Sequence, residues 1–150
     1  MVRLDLLLAD DDVDDCIFFK EALQELPLPT SLTTVHDGVQ LMDFLRPESA
    51  SLPHVLFLDL NMPLKNGHEC LLEIKSHPVL KRLPVIIYST SYESGVVRSL
   101  FELGATHYIR KPASFTDLKS VILKSLLLIS EVQNQQPMLE NFIIPYEKSI

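Results

Sequence analysis

Val55-Leu56-Phe57-Leu58-Asp59-Leu60-Asn61-Met62-Pro63 is the stretch on which the fold turns. Four apolar residues run into one carboxylate, and the chain then turns at Asn61–Pro63. An unbroken apolar run fits a strand buried on both faces, as in a parallel sheet covered by helices. An Asp ending such a strand stands on the sheet's carboxyl edge, where open α/β folds keep their ligands. Asp59 is then either a chemical group at the mouth of a sheet or a plain turn cap, a role Asp also favours. The stretch alone leaves the two readings level.

Outward from it, the same alternation repeats. Val2–Ala9 reads as a strand that ends in the acidic cluster Asp10-Asp11-Asp12-Val13-Asp14-Asp15. Ile17, Phe18, Ala22, Leu23 and Leu26 recur at helical spacing, which predicts a helix over about 14–25. Asp14 and Asp15 suit its N-terminus through capping and the dipole, and Pro27 and Pro29 stop it. Leu32–His36 reads as a second strand, Asp37-Gly38 opens a second helix, and Pro47–Pro53 is a polar loop. After Val55–Pro63, a third helix carries Cys70, Leu71, Leu72 and Ile74, and Pro84–Tyr88 is another all-apolar strand, closing in Ser89-Thr90-Ser91. A fourth helix spans about 93–103 and stops at Gly104, suited to the position after a helix end. Thr106–Arg110 is the fifth strand, running into Lys111-Pro112, and Asp117–Ile129 the last helix. Five strands alternating with five helices predict one α/β domain over 1–130, a doubly wound, flavodoxin-like parallel sheet of order 2-1-3-4-5.

Composition narrows the class. Of 150 residues, 47% are hydrophobic and 22% charged, enough apolar mass for one buried core. A net charge of −7 argues against general nucleic-acid binding, which needs a basic face. No segment approaches the roughly 20 apolar residues of a membrane span. Nothing reads as a signal peptide, so a cytoplasmic protein is expected. Cys16 and Cys70 have neither disulfide-framework nor metal spacing and read as core thiols in a reducing compartment. The five His residues are scattered, with no metal spacing.

In the order 2-1-3-4-5, the ends of strands 1 and 3 are neighbours, which gathers Asp10, Asp11 and Asp59, with Ser89 and Lys111 flanking them. Clustered carboxylates stay ionised only beside a compensating cation. Mg²⁺ is the natural one: it takes oxygen ligands and is commonly completed by a phosphate. Lys111 and Ser89 offer donors to further phosphoryl oxygens. Positioning and charge neutralisation are most of what phosphoryl transfer requires, and a carboxylate can be the nucleophile. Asp59, ending a fully buried strand, is the best-placed one.

Five features in chain order resemble the receiver domain of two-component response regulators: Asp10-Asp11, Asp59 with Met62-Pro63-x-x-x-Gly67, Ser89, Tyr108 and Lys111-Pro112. The resemblance covers about residues 2–129. Receivers are themselves a standing example of this strand order, so order and resemblance are not independent. The resemblance implies that Asp59 accepts a phosphoryl group from a histidine kinase or histidine phosphotransfer protein. It implies Mg²⁺ held by Asp11, Asp59 and the Asn61 carbonyl, with Asp10 acting largely through water. Lys111 would hold the phosphoryl group, Ser89 would carry the switching hydroxyl, and Tyr108 would swing inward with it, changing the surface of helix 4, strand 5 and helix 5 for a downstream protein. Met62-Pro63 reads equally as a turn former or a loop-positioning element. The Asn61 side chain, two residues past the nucleophile, would set the lifetime of the acyl phosphate.

Asp12, Asp14 and Asp15 read as cap and solvated-face residues. The apolar residues of the tail 131–150, chiefly Phe142, Ile143, Ile144 and Tyr146, need a place to be buried. An arm packed across a homodimer is expected slightly ahead of one folded back on its own domain. No room is seen for an output domain. Two other functions compete: a receiver-like adaptor that works without phosphorylation, and an aspartate-nucleophile phosphatase. The second lacks its usual acid/base Asp, because Asn61 stands there, so no enzyme is expected.

Overall fold

The computed structural model describes residues 3–46, 52–91, 93–131 and 136–146. Val2, most of the predicted 47–53 loop, and 132–135 and 147–150 of the tail lie outside them. The chain alternates β1 (Leu4–Ala9), α1 (Val13–Gln24), β2 (Thr30–Val35), α2 (Gly38–Phe44), β3 (Val55–Leu58), α3 (Gly67–Ser76), β4 (Val85–Ser89), α4 (Ser94–Glu102), β5 (His107–Arg110) and α5 (Phe115–Glu131). All five strands are parallel, in the order β2-β1-β3-β4-β5. This is the architecture expected from the sequence.

The apolar strands are buried on both faces because successive side chains point to opposite sides of the sheet. Leu7, Ala9, Leu56, Leu58, Val85 and Ile87 pack with α2, α3 and α4. Leu6, Leu8, Val55, Phe57, Ile86 and Tyr88 pack with α1 and α5. Phe19 of α1 meets Phe57 and Tyr88 with centroids 5.0 and 5.5 Å away, both edge-on. The inward stripe of α1 is not the expected one. Cys16, Phe19, Ala22 and Leu23 are buried, while Ile17 is 50% exposed. Asp12 caps the helix so that it begins at Val13, and the packing of Phe19 against two rings chooses which apolar positions face inward.

β2 is an edge strand, Thr30–Val35 rather than the expected 32–36, and only Val35 in it is buried. β5, at the other border, is covered. The backbone N–H of Tyr108 donates to the Phe142 carbonyl (3.0 Å), and that of Ile144 donates to the Tyr108 carbonyl (2.9 Å), a parallel bridge outside β5. Phe142 is fully buried, its ring 5.3 Å from Phe101 of α4 and 6.2 Å from Tyr108. Lys124 Nζ donates to the Pro145 carbonyl (3.0 Å). Where the sequence favours an arm across a second copy, the structure seats residues 136–146 on their own domain, because an uncovered edge strand and an apolar tail satisfy each other there. Both cysteines are buried and unpaired.

Candidate functional site

The strands hand their backbone ladders on to the residues just beyond them. The Asp59 N–H donates to the Ala9 carbonyl (2.9 Å), and that of Asp10 to Val35 (3.0 Å). On the other side, the Lys111 N–H donates to Ser89 (2.9 Å). These bonds fix Asp10, Asp59, Ser89 and Lys111 at one edge before any side chain chooses a rotamer. Gly67 is required for a different reason: a Cβ there would lie 2.2 Å from the Asp59 carbonyl oxygen. Only glycine lets α3 begin against the backbone of Asp59, which gives the Pro63-x-x-x-Gly67 spacing its physical content. The Asn66–Glu69 capping box then fixes the start of that helix.

Asp10 is wholly buried and Asp59 is 5% exposed, whereas Asp11 is open to solvent. One carboxylate oxygen from each lies within 4.8 Å of the others. Lys111 Nζ stands 2.8 Å from Asp10 Oδ2, 2.8 Å from Asp15 Oδ2 and 3.8 Å from Asp59 Oδ2, and 5.3 Å from the centroid of the Tyr88 ring. Asp10 Oδ1 accepts from the Asp12 backbone N–H (3.0 Å). Burial, with Asp10 alongside, pushes the Asp59 carboxyl up to about 7, against the pull of Lys111 and the Asn61 backbone N–H. Burial alone would lower Lys111, but hydrogen bonds to Asp10 and Asp15 hold its ammonium above the usual lysine range.

Asp10, Asp11, Asp59, Ser89 and Lys111 therefore converge as the sequence predicts. Asn61 is exposed, and its N–H reaches the Asp59 carboxylate. Tyr108 is not a surface aromatic. It is fully buried, and its hydroxyl donates to the Ser91 carbonyl. The Ser91 N–H donates in turn to Ser89 Oγ (3.2 Å), so one residue links the hydroxyl at the site to the ring on β5. Asp15 is the residue that sequence reasoning placed on a solvated face. The signal was present: helical side chains lean toward the N-terminus, and the N-terminus of α1 stands at the carboxyl edge of β1.

Whether a divalent cation fits can be judged from the donors. Three carboxylates with one oxygen each within 4.8 Å of the others make an all-oxygen, anionic set suited to a hard cation. Asp10 Oδ2 is buried against the Lys111 ammonium at 2.8 Å, a contact that uses one of its lone pairs and leaves another for such an ion. The residues present fit. No helix among the described residues is long and apolar enough to cross a membrane.

A family model described as the response regulator receiver domain matches residues 6–123. The chain is 34% identical over 121 residues to response regulator Rcp1 of Synechocystis sp., covering 78% of this chain and 82% of that one. The crystal structure of the phosphorylated cyanobacterial phytochrome response regulator RcpA superposes with a TM-score of 0.75 at 37% identity, over 83% of this chain and 91% of that one. The Mn²⁺-bound form of Rcp1 superposes with a TM-score of 0.76 at 30% identity, over 89% and 99%.

Proposed function

The chain belongs to the response regulator receiver family of two-component signalling, and on that premise we propose that Asp59 is a phosphoacceptor, loaded in the presence of Mg²⁺ by a histidine kinase or histidine phosphotransfer protein. The single observation that carries this is the placement of a nearly buried Asp59 carboxylate 3.8 Å from the Lys111 ammonium, within a set of three carboxylates.

An Asp59 oxygen attacks phosphorus as the bond from phosphorus to the donor's imidazole nitrogen breaks. The imidazole leaves as the neutral base once it takes up a proton, and the phosphoryl group remains on Asp59 as a mixed anhydride. Lys111 supplies an ammonium to one equatorial oxygen, and Ser89 a hydroxyl to another. Asp10, Asp11 and Asp59 would hold Mg²⁺, whose contribution when bound is to neutralise charge on the phosphoryl oxygens. Asn61 offers no carboxyl to activate water or protonate a leaving alcohol, which supports a switch over a turnover enzyme, and its side chain is the one to set how long the anhydride lasts. A Ser89 hydroxyl drawn toward the phosphate would pull on Ser91 and so on the Tyr108 hydroxyl, transmitting the state to the face of α4, β5 and α5.

Incubation with Mg²⁺ and a small acyl-phosphate donor, followed by intact mass measurement, tests the reading. One phosphoryl adduct is expected, absent in Asp59→Asn. An adduct that survives in that variant would place the acceptor elsewhere. A chain that takes none in either form would point to a phosphorylation-independent adaptor, and turnover of a phosphoester to an enzyme.

A further inference from the structure

We infer that Asp15 is a positioning residue for Lys111, a counter-ion that holds the ammonium at the α1 N-terminus and competes for it with an incoming phosphoryl group. The inference rests on the phosphoacceptor reading of Asp59. Lys111 has three N–H donors, and its two short contacts, both 2.8 Å, go to Asp10 and Asp15, not to Asp59 at 3.8 Å. Asp10 is wholly buried and pinned by the Asp12 N–H, so its contact is fixed by the fold. Asp15 differs. Its side chain is 37% exposed and sits in the first turn of a helix, where water can replace the contact. Of the two contacts, the one to Asp15 is therefore the one that can be given up.

The other roles open to Asp15 are already filled. Asp12 is the cap, accepting the Asp15 backbone N–H through Oδ1 (3.1 Å), and Asp14 supplies a second negative charge to the first turn. With Asp15 neutral, Lys111 keeps Asp10 on one side and the Tyr88 ring beneath it. The ammonium stays in the pocket, with one more donor free to face Asp59.

The test compares phosphorylation rates of the full chain with acetyl phosphate at saturating Mg²⁺. Asp15→Asn is expected to react roughly three- to fivefold faster, the scale of one partly exposed ion pair. Asp15→Glu, which restores the carboxylate, brings the rate back toward that of the parent. In a Lys111→Ala background, Asp15→Asn changes nothing. An unchanged or slower rate, or the same gain without Lys111, overturns the proposal. Acylation of Lys111 by a small amine-reactive ester, read by peptide mass, needs no phosphoryl chemistry. It should rise in Asp15→Asn, and equal labelling overturns the proposal even if Asp59 proves not to be an acceptor. Should Asp15→Asn fail to fold by thermal melt, Asp15→Ser removes the same charge and keeps a helix-start side chain.

Discussion

Along its carboxyl edge the sheet gathers Asp10, Asp59 and Lys111, whereas along its lateral edge β5 pairs with the chain's own Phe142–Ile144. Both borders bury backbone, but they treat their side chains oppositely. The carboxyl edge forces like charges together in a space where burial disfavours them, and the compensation from Lys111 is shared among three carboxylates. The lateral edge is neutral: two backbone hydrogen bonds, a ring edge-on to Phe101, and apolar side chains removed from water. One border costs stability in order to hold reactive groups, and the other adds stability by closing an edge. Function in this fold is concentrated where the folding energetics are worst.

The contrast breaks most readily at the lateral edge. Phe142→Ala is expected to cost about 3 kcal/mol, the usual scale for a buried Phe truncated to Ala. It should expose the Tyr108 and Ile144 amides to hydrogen exchange while Asp59 still takes a phosphoryl group. Loss of less than about 1 kcal/mol would mean that the tail is held by its hydrogen bonds and not by this ring.

Asp59→Asn should move stability the other way. Removing the charge that burial and Asp10 oppose is expected to stabilise the metal-free chain by about 1 kcal/mol, roughly 2–4 °C in Tm. In the parent, Mg²⁺ at ten times its Kd should add about 1.4 kcal/mol. That gain should shrink in Asp59→Asn, as one of three carboxylates is gone. A drop in Tm in the variant would show that the Lys111–Asp59 attraction outweighs the repulsion.

The smallest effect is a pH dependence of the lateral edge. His107 is buried with Nδ1 3.1 Å from the Phe142 carbonyl, and burial, only partly opposed by the Phe142 and Asn141 carbonyls, lowers it from 6.5. The unfolded chain then binds the proton first. Stability from this group is present in full above pH 6.5 and is lost as the pH falls from there through the folded value. Protection of the Ile144 amide, taken relative to its intrinsic exchange rate at each pH, should fall below pH 6.5, and His107→Gln should flatten the response.

Much of the carboxyl edge was legible in the chain because it depends on order along the sequence. Each site residue ends a strand or lies within two positions of its end, and a strand shows itself as an apolar run; parallel pairing then brings the ends together. Asp15 was harder to read, because what it touches depends on where α1 lies on the sheet. The inward face of α1 was misjudged for the same reason: Ile17 and Phe19 are both apolar, and only the rings of Phe57 and Tyr88 decide between them.

What the sequence determined by itself is the alternation of five strands and five helices, and a set of carboxylates, a hydroxyl and an ammonium at the strand ends. Local hydrophobic pattern and chain order suffice for that. Only the tertiary structure decided that Lys111 is divided between Asp10 and Asp15, that Ser91 joins Ser89 to Tyr108, and that residues 136–146 seal β5. Those contacts join residues far apart in the chain, Lys111 and Asp15 being 96 positions from one another, and they follow from packing geometry that no local pattern encodes.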